Sequence, residues 1–217
     1  MDLDERATLN PPTPITDPAI LALARDPSPE FARFLYESIG RDFWWLSRLH
    51  WSDTRWRDHF ADPLHELWVA SRHGGPVGFV EMLGCDLGEG GTEVRIEYLG
   101  LLRGYRGHGL GGHLVYDASA RARCMHERLP HLKPVCRVRL TTRNLDAPWA
   151  KDNYESRGYV ETGLSRAVRP RPWFAVRRAV AVSRRQLGRR PPAAPPTAAV
   201  PEPRRAADTF ELRDRRG

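Results

Sequence analysis

Apolar and polar positions alternate with a period of two over residues 65–71, 77–83 and 93–101, and the glycine turns Gly74-Gly75 and 88–91 separate the three runs. That pattern predicts three consecutive strands in an antiparallel meander. Ahead of them, Phe31, Phe34, Leu35 and Ile39 recur at helical spacing behind Ser28-Pro29 and stop at Gly40, which predicts a helix with proline in its first turn and glycine at its end. Ser52-Asp53 caps a second helix carrying Trp56, His59 and Phe60, and residues 19–24 are short and apolar enough for a first strand. Beyond the meander, Leu110, Leu114 and Val115 continue toward Ala118 and Ala120 as a helix starting at Gly109. Residues 135–142 then read as a strand, and the helix before it makes a right-handed crossover to a parallel neighbour. Asp146 is placed to cap a further short helix with Pro148 in its first turn; Gly158 stops it and Tyr159-Val160 begin a last strand. The order β, two helices, three antiparallel strands, helix, strand, helix, strand predicts an α+β domain around a mixed sheet.

Composition changes this picture at the ends of the chain. A length of 217 residues suits one domain with extensions, and 41% apolar content with seven Trp is ample for a core. The net charge of +7 is unevenly spread: from Leu164 onward there are 14 Arg and 4 acidic residues, so residues 1–163 carry a net −3. Residues 1–17 are polar and proline-rich and are expected to be a flexible lead-in to a domain spanning 18–163. Residues 164–188 read as a basic amphipathic extension and 189–217 as a disordered Pro/Ala/Arg-rich tail. Three cysteines, Cys85, Cys124 and Cys136, lack C-x-x-C spacing, so neither a disulfide framework nor a metal site is indicated. With no apolar run near 18 residues and no signal-peptide core, a soluble protein of the reducing cytoplasm without a transmembrane segment is expected.

The most chemically informative stretch lies where the third meander strand meets its helix. Residues 103–112 are studded with glycine, and a glycine turn opening a helix lets a phosphate approach unpaired backbone N–H groups at the positive end of the helix dipole. Gly107-His108-Gly109-Leu110-Gly111 is neither the dinucleotide fingerprint nor a Walker loop. Arg106 to Gly111 fits R/Q-x-x-G-x-G/A and resembles the pyrophosphate-binding loop of the GCN5-related N-acetyltransferase (GNAT) superfamily, in a bacterial branch of it. A second signature of that superfamily, N-P-x-A-x-x-x-Y-x-x-x-G-F, is matched about 40 residues on by Ala147-Pro148-Trp149-Ala150, Tyr154 and Gly158-Tyr159. Ala147 replaces the usual Asn, which removes a side-chain cap. The resemblance covers 19–162 and implies a GNAT-like mixed, mostly antiparallel sheet flanked by helices, with acetyl-CoA as cosubstrate and an amine as acceptor.

Acetyl transfer from a thioester to an amine needs the amine neutral, an oxyanion stabilised and a proton for the departing thiolate. Glu93, Arg95 and Glu97 fall on one strand face, which by alternation they share with positions 99 and 101. Glu97, nearest the turn, is the candidate base, in a place where several superfamily members carry a base glutamate; others carry it two residues earlier, where this chain has Arg95. An adjacent guanidinium would lower the basicity of Glu97, so Arg95 is read either as an ion-pair partner or as an anchor for a substrate carboxylate. The resemblance further implies an oxyanion donor among the backbone N–H groups of Leu99, Gly100 and Leu101. It makes Tyr154 the proton donor to the thiolate. Arg106, Gly107, His108, Gly109, Leu110 and Gly111 would hold the pyrophosphate. Trp44, Trp45, Trp51 and Trp56 read first as packing between helices, with Trp45 alternatively one wall of the acceptor pocket. The Trp-rich helices offer a surface for a homodimer, and the basic tail one for nucleic acid, an anionic membrane or a protein partner. An N-acetyltransferase acting by direct attack in a ternary complex is the leading reading. A non-catalytic CoA-binding module whose tail carries the function is the alternative.

Overall fold

The computed structural model describes residues 1–143 and 145–163. The predicted amphipathic extension and tail therefore lie outside the described residues. Strands β1 (Asp2–Asp4), β2 (Ile20–Ala24), β3 (His65–Arg72), β4 (Gly75–Asp86), β5 (Thr92–Leu101) and β6 (Val135–Leu140) form one sheet in the order β1-β6-β5-β4-β3-β2. All neighbours are antiparallel except β5 and β6, which run parallel across the helix α3 (Leu110–Arg123). The mixed sheet expected from the alternation is thus present.

Local chemistry accounts for the element boundaries. Helix α1 (Pro29–Gly40) begins where the Ser28 hydroxyl accepts the Phe31 N–H, with proline at the start, where its missing donor is harmless. Helix α2 (Asp53–Ala61) opens in the same way, Ser52 Oγ accepting from Arg55 N. The β3–β4 hairpin turns one residue earlier than the glycine pair implied: His73 (φ 51) and Gly74 (φ 79) are the left-handed central pair, while Gly75 is already paired with Arg72.

The sheet is covered unequally on its two faces. Leu110, Leu114, Val115, Ala118 and Ala122 of α3 pack with Val80, Met82, Val94, Ile96 and Val138 on one face. Helix α4 (Met125–Arg128) contributes Met125 to the same core. On the other face Leu35, Tyr36 and Ile39 of α1 and Trp56 of α2 close over Leu67 and Phe79. Strand β4, between these layers, is buried on both sides along most of its length, so its apolar run is nearly continuous.

Three expectations toward the two ends of the domain are corrected. The first residues are not a flexible lead-in: β1 pairs with β6 at the sheet edge, Leu3 is fully buried, and the Asp2 carboxylate takes both Nε and Nη2 of Arg139 at 2.8 Å. A three-residue strand in a polar, proline-rich stretch leaves too short a period-two signal to read. Asp146 does not cap helix α5 (Ala150–Ser156); its carboxylate accepts from Thr142 Oγ1 and Arg143 N, closing the turn after β6 instead. Tyr159-Val160 makes only an isolated bridge, Asp2 to Val160, rather than a strand of its own among the described residues.

Candidate active site at the end of β5

Strand β5 outruns its parallel neighbour. Pairing with β6 ends at Ile96 opposite Leu140, whereas β5 stays paired with β4 through Leu101. From Glu97 to Leu101 the strand therefore lacks β6 as a hydrogen-bonding partner, and Arg106 Nε takes the Leu101 carbonyl at the far end of that edge. Leu99, Gly100 and Leu101, the predicted oxyanion segment, all lie in this stretch. Gly100 is required there for a packing reason: a Cβ would come within 2.6 Å of Ile39 on α1.

The chain then makes a 3₁₀ turn, Arg103–Tyr105, and enters α3 through Gly107 (φ 82) and Gly109 (φ 78), both left-handed. No side chain caps α3, whose Gly112 N–H donates to Gly109 O at 3.2 Å, and a Cβ at Gly104 or Gly107 would meet nothing within 4 Å. Uncapped amides, the positive end of a 14-residue helix and open space before it together fit a phosphate group. His108 and Leu110 line a cavity of about 260 Å³ with Ile15, Thr16, Asp17 and Arg72. Arg106 faces elsewhere: its Nε donates to Leu101 O at 2.8 Å and its Nη1 to Asp42 at 2.7 Å, with Phe43 beneath the guanidinium. It latches the turn to the strand end more than it reaches toward solvent.

Strand β5 also carries a bulge that alternation alone cannot anticipate. Glu81 is opposite Tyr98 and Met82 opposite Ile96, so Glu97 is the extra residue. Glu93, Arg95 and Glu97 do share a face, but the bulge shifts the parity beyond them. Leu99 and Leu101 fall on the α3 side with Val94 and Ile96, while Tyr98 and Gly100 face α1.

Glu97 does not pair with Arg95. Arg95 donates to Glu93 at 2.7 Å, and Arg137 and Arg139 surround that same buried carboxylate. The partner of Glu97 is Arg48, from the segment between α1 and α2, at 3.0 Å. Arg48 in turn forks onto Glu81 of β4 with two bonds of 2.7 Å, and His59 of α2 donates to Glu81 at 2.7 Å. The side chains of Arg48 and Glu81 are 5% and 2% exposed, against 30% for Glu97. Burial drives the Glu81 carboxyl upward, but its bonds to His59 and Arg48 outweigh that and hold it below the usual range. Glu97 goes the other way: burial and then the Glu81 charge raise it, and Arg48, His59 and Arg95 only partly oppose them. The lowered basicity expected for Glu97 is thus reversed, because burial and a second carboxylate dominate the guanidinium.

The remaining candidates divide. Tyr154 packs on the α3-side core against Tyr159, and burial followed by the Asp146 charge raises its phenol above its ordinary value, which keeps it a proton donor. Trp45 packs edge-on against Phe79 and Tyr98 and lies beside Gly100, so it is first of all a packing residue at the strand end. Arg48, Glu81 and His59 were not among the sequence candidates. The available signal was an acid inside the apolar run Phe79-Val80-Glu81-Met82-Leu83 and an arginine inside a run of tryptophans. His59, His65 and Glu97 bring one potential ligand atom each within 4.8 Å, but the Arg48 guanidinium bonded to Glu97 already supplies the positive charge there.

A strand that parts from its parallel neighbour, followed by a glycine turn onto an uncapped helix, sets a phosphate-accepting helix start beside an open strand end. Residues 30–137 match the model of the acetyltransferase (GNAT) family, and the chain belongs to that family, whose cosubstrate is acetyl-CoA. Two similar solved structures are aminoglycoside acetyltransferases from uncultured soil metagenomic samples. One, in complex with trehalose, is 14% identical with a TM-score of 0.53 and covers 70% of this chain and 96% of its own. The other is 15% identical with a TM-score of 0.52 and covers 70% and 99%. At such identities the likeness establishes the fold alone. No curated protein matches the sequence.

Proposed function

We propose that the protein is an N-acetyltransferase that moves the acetyl group of acetyl-CoA to a primary amine by direct attack in a ternary complex. The observation that carries this reading is the position of Glu97: a half-buried carboxylate of raised basicity, on the bulge where β5 parts from β6. Acetyl-CoA supplies an activated thioester. The turn through Gly107, His108, Gly109, Leu110 and Gly111 would hold its pyrophosphate, with Arg106 keeping that turn in shape. Glu97 accepts the proton that the attacking ammonium must lose. A backbone N–H among Leu99, Gly100 and Leu101 donates to the carbonyl oxygen as negative charge gathers on it. Tyr154, kept protonated by burial, gives its proton to the sulfur as the carbon–sulfur bond breaks. Arg95, 48% exposed and held by Glu93, remains available to an acidic group on an acceptor, and Trp45 stands at the edge of the same cleft. The free thiols Cys85, Cys124 and Cys136 suit a reducing compartment such as the cytoplasm, and no described helix is long and apolar enough to cross a membrane.

The test is a screen of primary amines with acetyl-CoA, followed by Glu97→Gln on any amine that turns over. Loss of kcat/KM by about 10²- to 10⁴-fold with unchanged acetyl-CoA affinity is expected for a general base. Full activity in the variant would remove Glu97 from the mechanism.

A further inference from the structure

Glu97 and Glu81 compete for a single guanidinium. Arg48 gives Glu81 two parallel bonds, Nη1 to Oε2 and Nη2 to Oε1, both 2.7 Å, and gives Glu97 only a share of Nη2, at 3.0 Å to Oε2. Glu97 Oε1 has no hydrogen-bond partner among the described residues. The guanidinium lies 4.6 Å from the rings of both Trp51 and Tyr98, within reach of both carboxylates. Glu81 is fixed, with His59 clamping Oε1 from α2. A buried ion pair of this kind seldom adds net stability over an apolar replacement, so its value is better sought in what it does to its neighbour.

We infer that Glu81 is a positioning residue for Glu97: by taking the forked face of Arg48 it leaves Glu97 with one oxygen free to receive a proton. This rests on the reading of Glu97 as the base. Without Glu81 the guanidinium would turn its fork onto Glu97 and make it a salt-bridged spectator. The charged and titratable groups facing Glu97 are Arg48, His59 of α2, His65 of β3, Glu81 and Cys85 of β4, and Arg95 of its own strand. Only Arg48 and Glu81 stand in a direct exchange for its oxygens.

The experiment is a carbon-13 titration of the full chain labelled at glutamate carboxyls, with the Glu97 signal assigned by its absence in Glu97→Gln. In the wild type that carboxyl should titrate above the ordinary glutamate value. In Glu81→Gln it should fall by about one unit or more, as carboxylates do beside an uncommitted arginine. Glu81 also raises Glu97 directly through its charge, so the deciding comparison is the same substitution made in Arg48→Gln: there it should lower Glu97 by clearly less, because only that direct part is left. A merely structural role would change the melting temperature without moving Glu97. An unmoved Glu97 in folded Glu81→Gln, or a fall just as large in the Arg48→Gln background, overturns the inference. If Glu81→Gln does not fold, Glu81→Asp, whose shorter stem draws the carboxylate back from the forked face of Arg48 while keeping its charge, is read in the same way. There a smaller downward shift supports the inference and an unmoved signal overturns it. The titration reads the carboxyl itself, so a failure of Glu97 as base, seen as full turnover in Glu97→Gln, is a separate result.

Discussion

Arg48→Met exchanges a buried guanidinium for an apolar stem and leaves Glu81, with a side chain 2% exposed, bonded to His59 alone. Severing one side of a buried pair costs about 3–5 kcal/mol, because the surviving charge remains out of water. Losing the cation from between Trp51 and Tyr98 costs roughly another 0.5–2 kcal/mol, part of which the methionine stem recovers by packing. The variant should therefore be about 4 kcal/mol less stable at pH 8. The deficit should also depend on pH with a definite sign. In the wild type Glu81 titrates below the ordinary range, so its contribution is complete above the unfolded value of about 4.3 and is lost only as pH falls through the lower folded value. In the variant, burial meets one partner fewer and the folded value rises above the unfolded one. The folded variant then binds a proton before the unfolded chain does. The difference from wild type should shrink steadily from pH 8 to pH 5. Urea unfolding of the full chain, followed by tryptophan fluorescence at both pH values, measures it. A loss under about 1 kcal/mol at pH 8, or one equal at both pH values, would refute the reasoning.

Three other outcomes follow from the same geometry. Gly109→Glu sets a carboxylate and a Cβ at a left-handed position 3.1 Å from Ile15, so calorimetric titration should find acetyl-CoA affinity reduced roughly tenfold or more; equal binding would remove the turn as the phosphate site. Tyr154→Phe should lower kcat by about 10²-fold with little change in acetyl-CoA affinity, and an unaltered kcat would reduce Tyr154 to a core residue. Leu3→Ala, at a fully buried position, should cost about 2–5 kcal/mol in chemical unfolding, whereas a flexible lead-in would lose nothing measurable.

What could be read from the sequence was whatever repeats within a few residues. The meander, the two capped helices, the parallel crossover and the glycine turn were all legible because their signals are local. Glu97 was also legible, as the acid closest to the turn. Its electrostatic setting was not. The residues that fix it, Arg48 and Glu81, are 33 positions apart, and alternation gives no register between elements. The bulge at Glu97 is a second example: one inserted residue reverses the parity of everything after it, so Leu99 and Leu101 point opposite to the face that simple counting assigned. Arg106 fits the motif as a letter, yet its guanidinium is committed to Asp42, a partner 64 residues earlier that no motif contains.

The N-terminal residues are the largest departure, and topology explains why they bear on the site. Strands β1 and β2 are consecutive in the chain but form opposite edges of the six-stranded sheet. The connection must cross five strand spacings, roughly 24 Å, which takes about seven or eight extended residues. The chain between Asp4 and Ile20 is longer than that, and it spends the surplus on α3 and α5. Asn10 bonds to the end of α5 through Ser156 and Arg157, Thr13 O accepts from His113, and Pro12 and Ile15 lie where Cβ atoms on Gly112 and Gly109 would reach them at 3.3 and 3.1 Å. Asp17 then ties the segment to Arg72 of β3 at 2.7 Å. The glycine turn is therefore bounded on one side by β5 and on the other by a segment that composition alone assigns to disorder. The absence of side chains at Gly109 and Gly112 serves that segment as much as any ligand. Low apolar content argues for disorder only when a segment has nothing to lie on; here the sheet order obliges it to cross a folded surface, and short-range contacts along the way are enough to hold it.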